Sequence, residues 1–198
     1  YTSAADALGI DGLTYGVSAA FGDDTDSTVS SNAETSYSAG VTYVTTTGDT
    51  TVTIGGGFVS ADDSNPQTLN NKAASTMLSA TAVTGDLTLG VGFANGSGTK
   101  GDATEIDSAQ ILTAGAKYVS GDMTMSIGMV DSEAKDGAEG ANGTNTDSLE
   151  SISASLDYVV ASGITATLGY TDVSAGDEGA SKSANSGSAW YIGANVSF

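Results

Sequence analysis

The chain has 198 residues, with 24 acidic and 5 basic side chains, a formal net charge of -19, and neither His nor Cys. This acidic excess excludes a nucleic-acid partner, because such binding needs Lys and Arg to displace counterions from the phosphates. Without His or Cys, the Ser-His-Asp, Cys-His and His-metal arrangements are also excluded. We therefore predict a protein that is not an enzyme and that holds no cofactor and no metal.

Apolar and polar residues alternate with a period of two along most of the chain, which is the period of a β-strand. No run reaches the roughly 18 apolar residues that a membrane helix requires. The alternating segments are about ten residues long, which is the length that a tilted strand needs to cross a bilayer. We therefore predict one all-β domain over residues 1–198, with strands at 13–21, 35–46, 50–59, 75–84, 87–95, 109–119, 123–131, 151–160, 164–172 and 189–198.

Short and long connections alternate between these strands. The short ones are "TGD" at 47–49, "TGD" at 84–86, "SGD" at 120–122 and "ASG" at 161–163, each with a Gly where a hairpin requires positive φ. The long ones are polar and mostly acidic, as in "GDDTDSTVSSNAE". A propeller blade has a similar repeat of about 40 residues, but it has no reason to place all tight turns at one end. A transmembrane barrel does, because its short turns face the periplasm and its long loops face outward.

Alternate residues of each strand fall into an apolar set and a set of small polar residues. In the first strand, Leu13, Tyr15 and Val17 alternate with Thr14 and Gly16. The polar set is also compatible with the wet face of a soluble β-sandwich. Such a face usually carries many charges, whereas here Lys117 and Asp157 are nearly the only charges within a strand. The pattern therefore favours an apolar face against lipid and a small polar face against water.

Aromatic residues of the apolar set fall near the strand ends, in two bands with aliphatic residues between them. Aromatic rings prefer the headgroup level, so two bands are typical of an outer-membrane barrel. Rings that cap the core of a sandwich are the alternative interpretation. The band at the tight-turn ends contains Tyr15, Tyr43, Tyr118, Tyr158 and Phe198, and the opposite band contains Phe21, Tyr37, Phe58, Phe93, Tyr170 and Trp190.

Several stretches, among them "GLTYGVSAAFG", "ILTAGAKYVSGDMTMSIGMV" and "WYIGANVSF", resemble the Gram-negative general diffusion porins of Rhodobacter-like bacteria. The resemblance implies an antiparallel transmembrane β-barrel in the cell outer membrane, with a water-filled channel for passive diffusion of small hydrophilic solutes and ions. It also implies a homotrimer of sixteen-stranded barrels, surrounded by a lipid bilayer and lipopolysaccharide.

The last strand resembles the family's C-terminal strand, which the outer-membrane assembly machinery reads as a signal. The matching positions are Trp190, Ile192, Ala194, Val196 and Phe198. This resemblance implies that the alternating apolar residues and the terminal aromatic of this strand form the assembly signal.

Ten strands are fewer than the sixteen that the resemblance implies. We therefore expect the last ten strands of a longer barrel, with residues 1–12 as the tail of a preceding element and a periplasmic turn. A complete ten-stranded barrel is the alternative that strand parity allows. Narrow barrels fill their interior with side chains, and Thr, Ser and Gly are too small to do so, which favours a wider pore.

The candidate pore-lining residues are Lys117, Asp157, Tyr191 and Asn195. Lys117 and Asp157 precede the outward Tyr118 and Tyr158 by one residue, so their phase points them toward the lumen. They could shape the field of the pore or form a solvated rim. Acidic loops concentrate cations near a pore mouth, so we predict a modest cation preference that weakens as salt rises.

Two other readings of the acidic loops stay open. Asp23, Asp24, Asp26, Asp62 and Asp63 have the oxygen ligands that Ca²⁺ prefers, although without the spacing of a known loop motif solvated charge is the favoured interpretation. The alternative function for the whole chain is a secreted or cell-surface acidic β-rich structural protein or adhesin without a pore.

Overall fold

The computed structural model describes residues 1–21, 35–63, 71–100, 105–136, 145–177 and 184–197. In these residues a 3-10 turn, Ala7–Gly9, precedes ten strands that pair in chain order in a single antiparallel sheet. No helix in these ranges is long and apolar enough to cross a membrane. The predicted all-β antiparallel architecture is confirmed. The strands are β1 Leu13–Phe21, β2 Thr35–Thr47, β3 Thr50–Asp63, β4 Asn71–Thr84, β5 Leu87–Lys100, β6 Glu105–Ser120, β7 Met123–Asp136, β8 Asn145–Ala161, β9 Ile164–Asp177 and β10 Asn185–Val196.

Four tight hairpin turns join the strands at one end of the sheet, where the sequence predicts them. Gly48, Gly85, Gly121 and Gly163 have φ values of 58°, 53°, 57° and 77°. A side chain with a Cβ is strained in this region, so glycine sets where each turn falls. Strand ends at these turns lie within one residue of the predicted bounds.

At the other end of the sheet β3 to β10 are longer than predicted, whereas β1 ends and β2 begins where predicted. The sequence pattern ends β3 at residue 59 and begins β8 at residue 151, whereas the strands reach Asp63 and Asn145. The apolar and polar alternation stops where both faces meet water, but the backbone hydrogen bonds between strands continue. Alternation therefore marks the part of each strand that has one apolar face, not the whole strand.

The first residues of the chain pair with β1 on the side away from β2. Thr2 forms an antiparallel bridge with Gly16, and the amide of Val17 donates to the carbonyl of Tyr1 at 2.9 Å. The chain then turns through Ala7–Gly9 and enters β1. Residues 1–3 thus cover part of the outer edge of β1.

The sheet packs against no second layer in the described residues. Ala7 is the only apolar side chain there that is buried, whereas Ile127 is 55% exposed and Ile192 is 86% exposed. Soluble proteins rarely expose a continuous apolar surface of this kind. The apolar face therefore requires a lipid environment or another apolar covering, and a sandwich core is absent from the described part of the chain.

Candidate functional site

The strand register assigns the residues of the sheet to two faces, with one irregularity between Val159 and Ala161 in the pairing of β8 with β9. We call them the apolar face and the small-residue face. On β7 the apolar face begins with Met123, Met125, Ile127 and Met129. The small-residue face of the same strand begins with Thr124, Ser126 and Gly128. Because the register is continuous from β1 to β10, these two faces extend across the whole described sheet.

The small-residue face is built mainly from glycine and hydroxyl side chains. Gly90, Gly115 and Gly128 lie side by side on β5, β6 and β7. Neighbouring hydroxyls bond to each other between strands, as Ser126 and Ser155 do at 2.7 Å. Such a surface is neutral, can be hydrated and projects little beyond the backbone. It is suited to face a wide column of water.

The four candidate pore-lining residues all lie on the small-residue face. Lys117 is opposite Ser126, Asp157 is opposite Thr124 and Thr167, and Asn195 is opposite Thr165, all in the half of the sheet near the tight turns. Tyr191 lies four residues farther from that end, opposite Gly169. The structure thus brings Lys117, Asp157 and Asn195 to one level near the tight turns, and Tyr191 lies closer to the long connections.

Asp157 and Lys117 differ in how firmly they are held. The Thr167 hydroxyl donates to Asp157 Oδ1 at 2.5 Å, and both side chains are half-buried. Lys117 is exposed. The ion pair found within the described ranges joins Lys135 to Glu133 at 2.9 Å and does not involve Lys117. Sequence reasoning selected Asp157 by phase, but it missed Thr167, because this contact depends on the pairing of β8 with β9.

Tyr191 lies against the wall and not out in the open space beside it. Gly169 is buried, and the Tyr191 ring occupies the position that a Cβ on Gly169 would take. The ring therefore covers the backbone of β9 and fills a gap that only glycine leaves. The sequence places Tyr191 on this face, but its contact with Gly169 follows only from the pairing of β9 with β10.

The apolar face carries the described aromatic residues of the two predicted bands, which are all of them except Phe198. Trp190 and Tyr170 lie on neighbouring strands with ring centroids 4.5 Å apart, and Phe21 and Tyr37 with centroids 6.0 Å apart. Trp190 is 71% exposed and Tyr158 is 51% exposed. Wide exposure of rings at two levels is the arrangement expected at the two interfaces of a bilayer.

Four of the five residues of the predicted assembly signal lie on the apolar face of β10. Trp190, Ile192, Ala194 and Val196 are opposite Tyr170, Leu168, Ala166 and Ile164. The fifth, Phe198, lies outside the described residues.

Charged residues mark where the apolar face ends toward the long connections. Directly after Met129, the same face of β7 carries Asp131, Glu133 and Lys135. Asp131 is opposite Glu150 on β8. Such charges are costly in hydrocarbon, so this level lies outside the lipid core.

The candidate calcium ligands receive no support from the structure. Asp23, Asp24 and Asp26 lie outside the described residues, as do the side chains of Asp62 and Asp63. Within the described ranges, no group of three or more acidic side chains is arranged to hold a metal ion.

Comparison with known families identifies the chain. A family model described as Gram-negative porin matches residues 2–178. The chain belongs to the Gram-negative porin family. The predicted family, barrel architecture and outer-membrane location are thereby confirmed, while the closer likeness to porins of Rhodobacter-like bacteria stays a prediction. Membership of this family, with the exposed apolar face, favours a porin over a soluble adhesin.

Solved structures show the same fold in outer-membrane proteins. The porin is similar to outer-membrane expressed OmpT of Vibrio cholerae, with a TM-score of 0.57 and 16% identity over 94% of this chain and 61% of that one. In-vitro folded OmpT in its trimer form gives a TM-score of 0.54 and 15% identity over 94% and 64%. This chain thus spans about three fifths of the length of these barrels. No curated protein matches it.

Proposed function

We propose that this porin forms a non-enzymatic, water-filled channel through the outer membrane, by which small hydrophilic solutes and ions diffuse passively. The observation that carries the proposal is the small-residue face, an almost uncharged wall of hydroxyls and glycines on the side of the sheet opposite the lipid-facing surface. Small side chains leave the space in front of them open to water. The absence of His and Cys supports the non-enzymatic part of the proposal.

We propose further that the ten strands form one domain over residues 1–198 and are the C-terminal ten strands of a larger barrel. Strand edges within a bilayer need hydrogen-bond partners. In the described residues β10 pairs with β9 alone, and residues 1–3 lie along part of the outer edge of β1. The small side chains of the inner wall also suit a barrel wider than ten strands.

The proposed surroundings of the barrel follow from its outer surface. The apolar face contacts the lipid bilayer, and the level of Asp131 and Glu133 meets the headgroups of lipopolysaccharide. We propose a homotrimer, which the trimer form of Vibrio cholerae OmpT supports. The assembly machinery of the outer membrane is the proposed reader of β10 and Phe198.

Reconstitution into a planar bilayer tests the channel. We expect stepwise conductance. Under a salt gradient we expect a reversal potential whose sign shows that cations permeate more readily than anions. The acidic excess of the chain attracts cations to the mouth, and the preference should fall as salt rises, because the Debye length shrinks from about 8 Å to about 3 Å at 1 M. Heat-unfolded protein is the control. A folded barrel without conductance contradicts the channel, and an anion-selective potential contradicts the cation preference.

Phe198→Ala is expected to reduce the amount of folded porin in the outer membrane severalfold while synthesis is unchanged. The reason is loss of the terminal aromatic of the proposed assembly signal. The folded fraction can be measured as heat-modifiable protein in the outer-membrane fraction, against total protein in the cell. Phe198→Tyr, which keeps the ring, is the matched control and should assemble normally. Equal assembly of the Ala and Tyr variants would contradict a role of the terminal ring in the signal.

A further inference from the structure

Two charged side chains interrupt the small-residue face near the tight-turn end of the sheet, each one residue from a Tyr of the opposite face. They are Lys117 on β6 and Asp157 on β8, and β7 lies between them. Asp147, another acid of this face, lies ten residues before Asp157 at the far end of β8. If this face is the lumen wall, as the proposed function holds, Lys117 and Asp157 are the charges that its strands present near the tight-turn end, and Asp49, Asp86 and Asp122 lie beyond them in the turns.

Asp157 is positioned to contact a passing ion. Thr167 donates a hydrogen bond to its Oδ1, which limits the rotation of the carboxylate. A carboxylate that accepts one hydrogen bond keeps acceptor capacity on both oxygens. The residues opposite Asp157 on the neighbouring strands are Thr124 and Thr167, so the carboxylate is flanked by two hydroxyl-bearing residues of the same face. The side chain is half-buried, so it is held at the wall and not extended into solvent.

Lys117 does not neutralise Asp157 by contact. The two residues are opposite Ser126 and Thr124, which are two positions apart on β7. Two strand spacings and a two-residue offset put their Cα atoms about 12 Å apart. Because Coulomb energy falls as the inverse of distance and the pair makes no contact, a cation beside the carboxylate is attracted by Asp157 more strongly than the Lys117 ammonium repels it.

We propose that Asp157, positioned by Thr167, is a cation-contact site at the tight-turn end of the pore and contributes to cation preference independently of the acidic loops. The inference rests on the proposed channel function and adds the residue at which monovalent cations are favoured over anions. Thr167 is a positioning residue, since it acts through the carboxylate.

Reversal potentials under a potassium chloride gradient test the site in the intact porin. Asp157→Asn keeps an acceptor for Thr167 and removes the charge, and it is expected to lower the ratio of cation to anion permeability about two- to threefold. Thr167→Val should lower the ratio in the same direction by less, and Thr167→Ser, which keeps the hydroxyl, should restore it. Asp172→Asn is the matched control, because it removes the same charge from the opposite face of the neighbouring strand.

Salt concentration separates this site from the loops. At about 1 M salt the Debye length is about 3 Å, so distant loop charges are screened while a contact site still acts. The change in reversal potential caused by Asp157→Asn should therefore persist at 1 M. Lys117→Gln removes the positive charge of the pair and should raise the cation preference. Two results would overturn the inference but not the channel, provided that the variants conduct. One is an unchanged reversal potential in Asp157→Asn, and the other is an equal change of the reversal potential in Asp172→Asn. A folded barrel without conductance would instead overturn the proposed function.

Discussion

Ile127→Lys is expected to prevent most of this porin from folding into the membrane. Ile127 lies on the apolar face of β7 between Ala116 and Ala154, and it is 55% exposed. A Lys near the middle of the lipid-facing surface of a barrel costs about 2–4 kcal/mol. The expected result is a large loss of heat-modifiable protein in the outer-membrane fraction, and a lower free energy of unfolding in urea when the protein is folded into lipid vesicles.

Gly128→Lys is the matched control, because it places the same side chain one residue away on the opposite face. A Cβ at this position would lie 3.8 Å from the carbonyl oxygen of Ala114, which is an ordinary contact. The ammonium group would then reach water and not lipid. We expect near-normal folding. Equal losses in the two variants would contradict the assignment of the faces, and so would normal folding of Ile127→Lys.

Gly12→Ala is expected to destabilise the porin by about 3 kcal/mol, from left-handed strain together with the loss of a backbone hydrogen bond. Gly12 has a φ of 76°, and its carbonyl accepts a hydrogen bond from the amide of Val44 at 2.9 Å. A Cβ there would overlap the backbone carbonyl of Val44. Because the atom it meets is backbone, no side-chain rotation relieves the overlap, and the connection into β1 must separate from β2.

Gly48→Ala is the comparison for this substitution. Gly48 has a φ of 58°, but no heavy atom lies within 4 Å of the Cβ position. Gly48→Ala should lower the free energy of unfolding only by the cost of a left-handed backbone conformation, about 1–2 kcal/mol. The free energy of unfolding in urea measures both variants. Equal losses would show that the contact with Val44 has no effect beyond backbone strain.

The tight-turn ends of the strands could be predicted from sequence because glycine fixes them locally. Gly48 and Gly121 mark turns that fall where they were expected. The other strand ends could not, since alternation reports one apolar face against one polar face and disappears above Met129, where Asp131 and Glu133 follow on the same face. Backbone pairing continues there without any periodic signal.

The candidate site was predictable in its faces and not in its contacts. Phase alone places Lys117, Asp157 and Tyr191 on the same face, because the period of a strand is two. The hydrogen bond from Thr167 to Asp157 and the seat of Tyr191 on Gly169 depend on how β8, β9 and β10 align. A one-residue change in that alignment would remove both contacts. The alignment of β8 with β9 includes an irregularity between Val159 and Ala161 that the alternation of the sequence does not predict.

The contact between the Tyr191 ring and Gly169 limits which residues can occupy positions 169 and 191 during evolution. The Tyr191 ring occupies the space that a side chain at position 169 would need, so each residue limits the other. A lineage that gains a Cβ at 169 must turn the ring at 191 away from the wall or replace it with a smaller side chain. The two positions are therefore expected to change together among relatives, as a compensating pair 22 residues apart in the sequence.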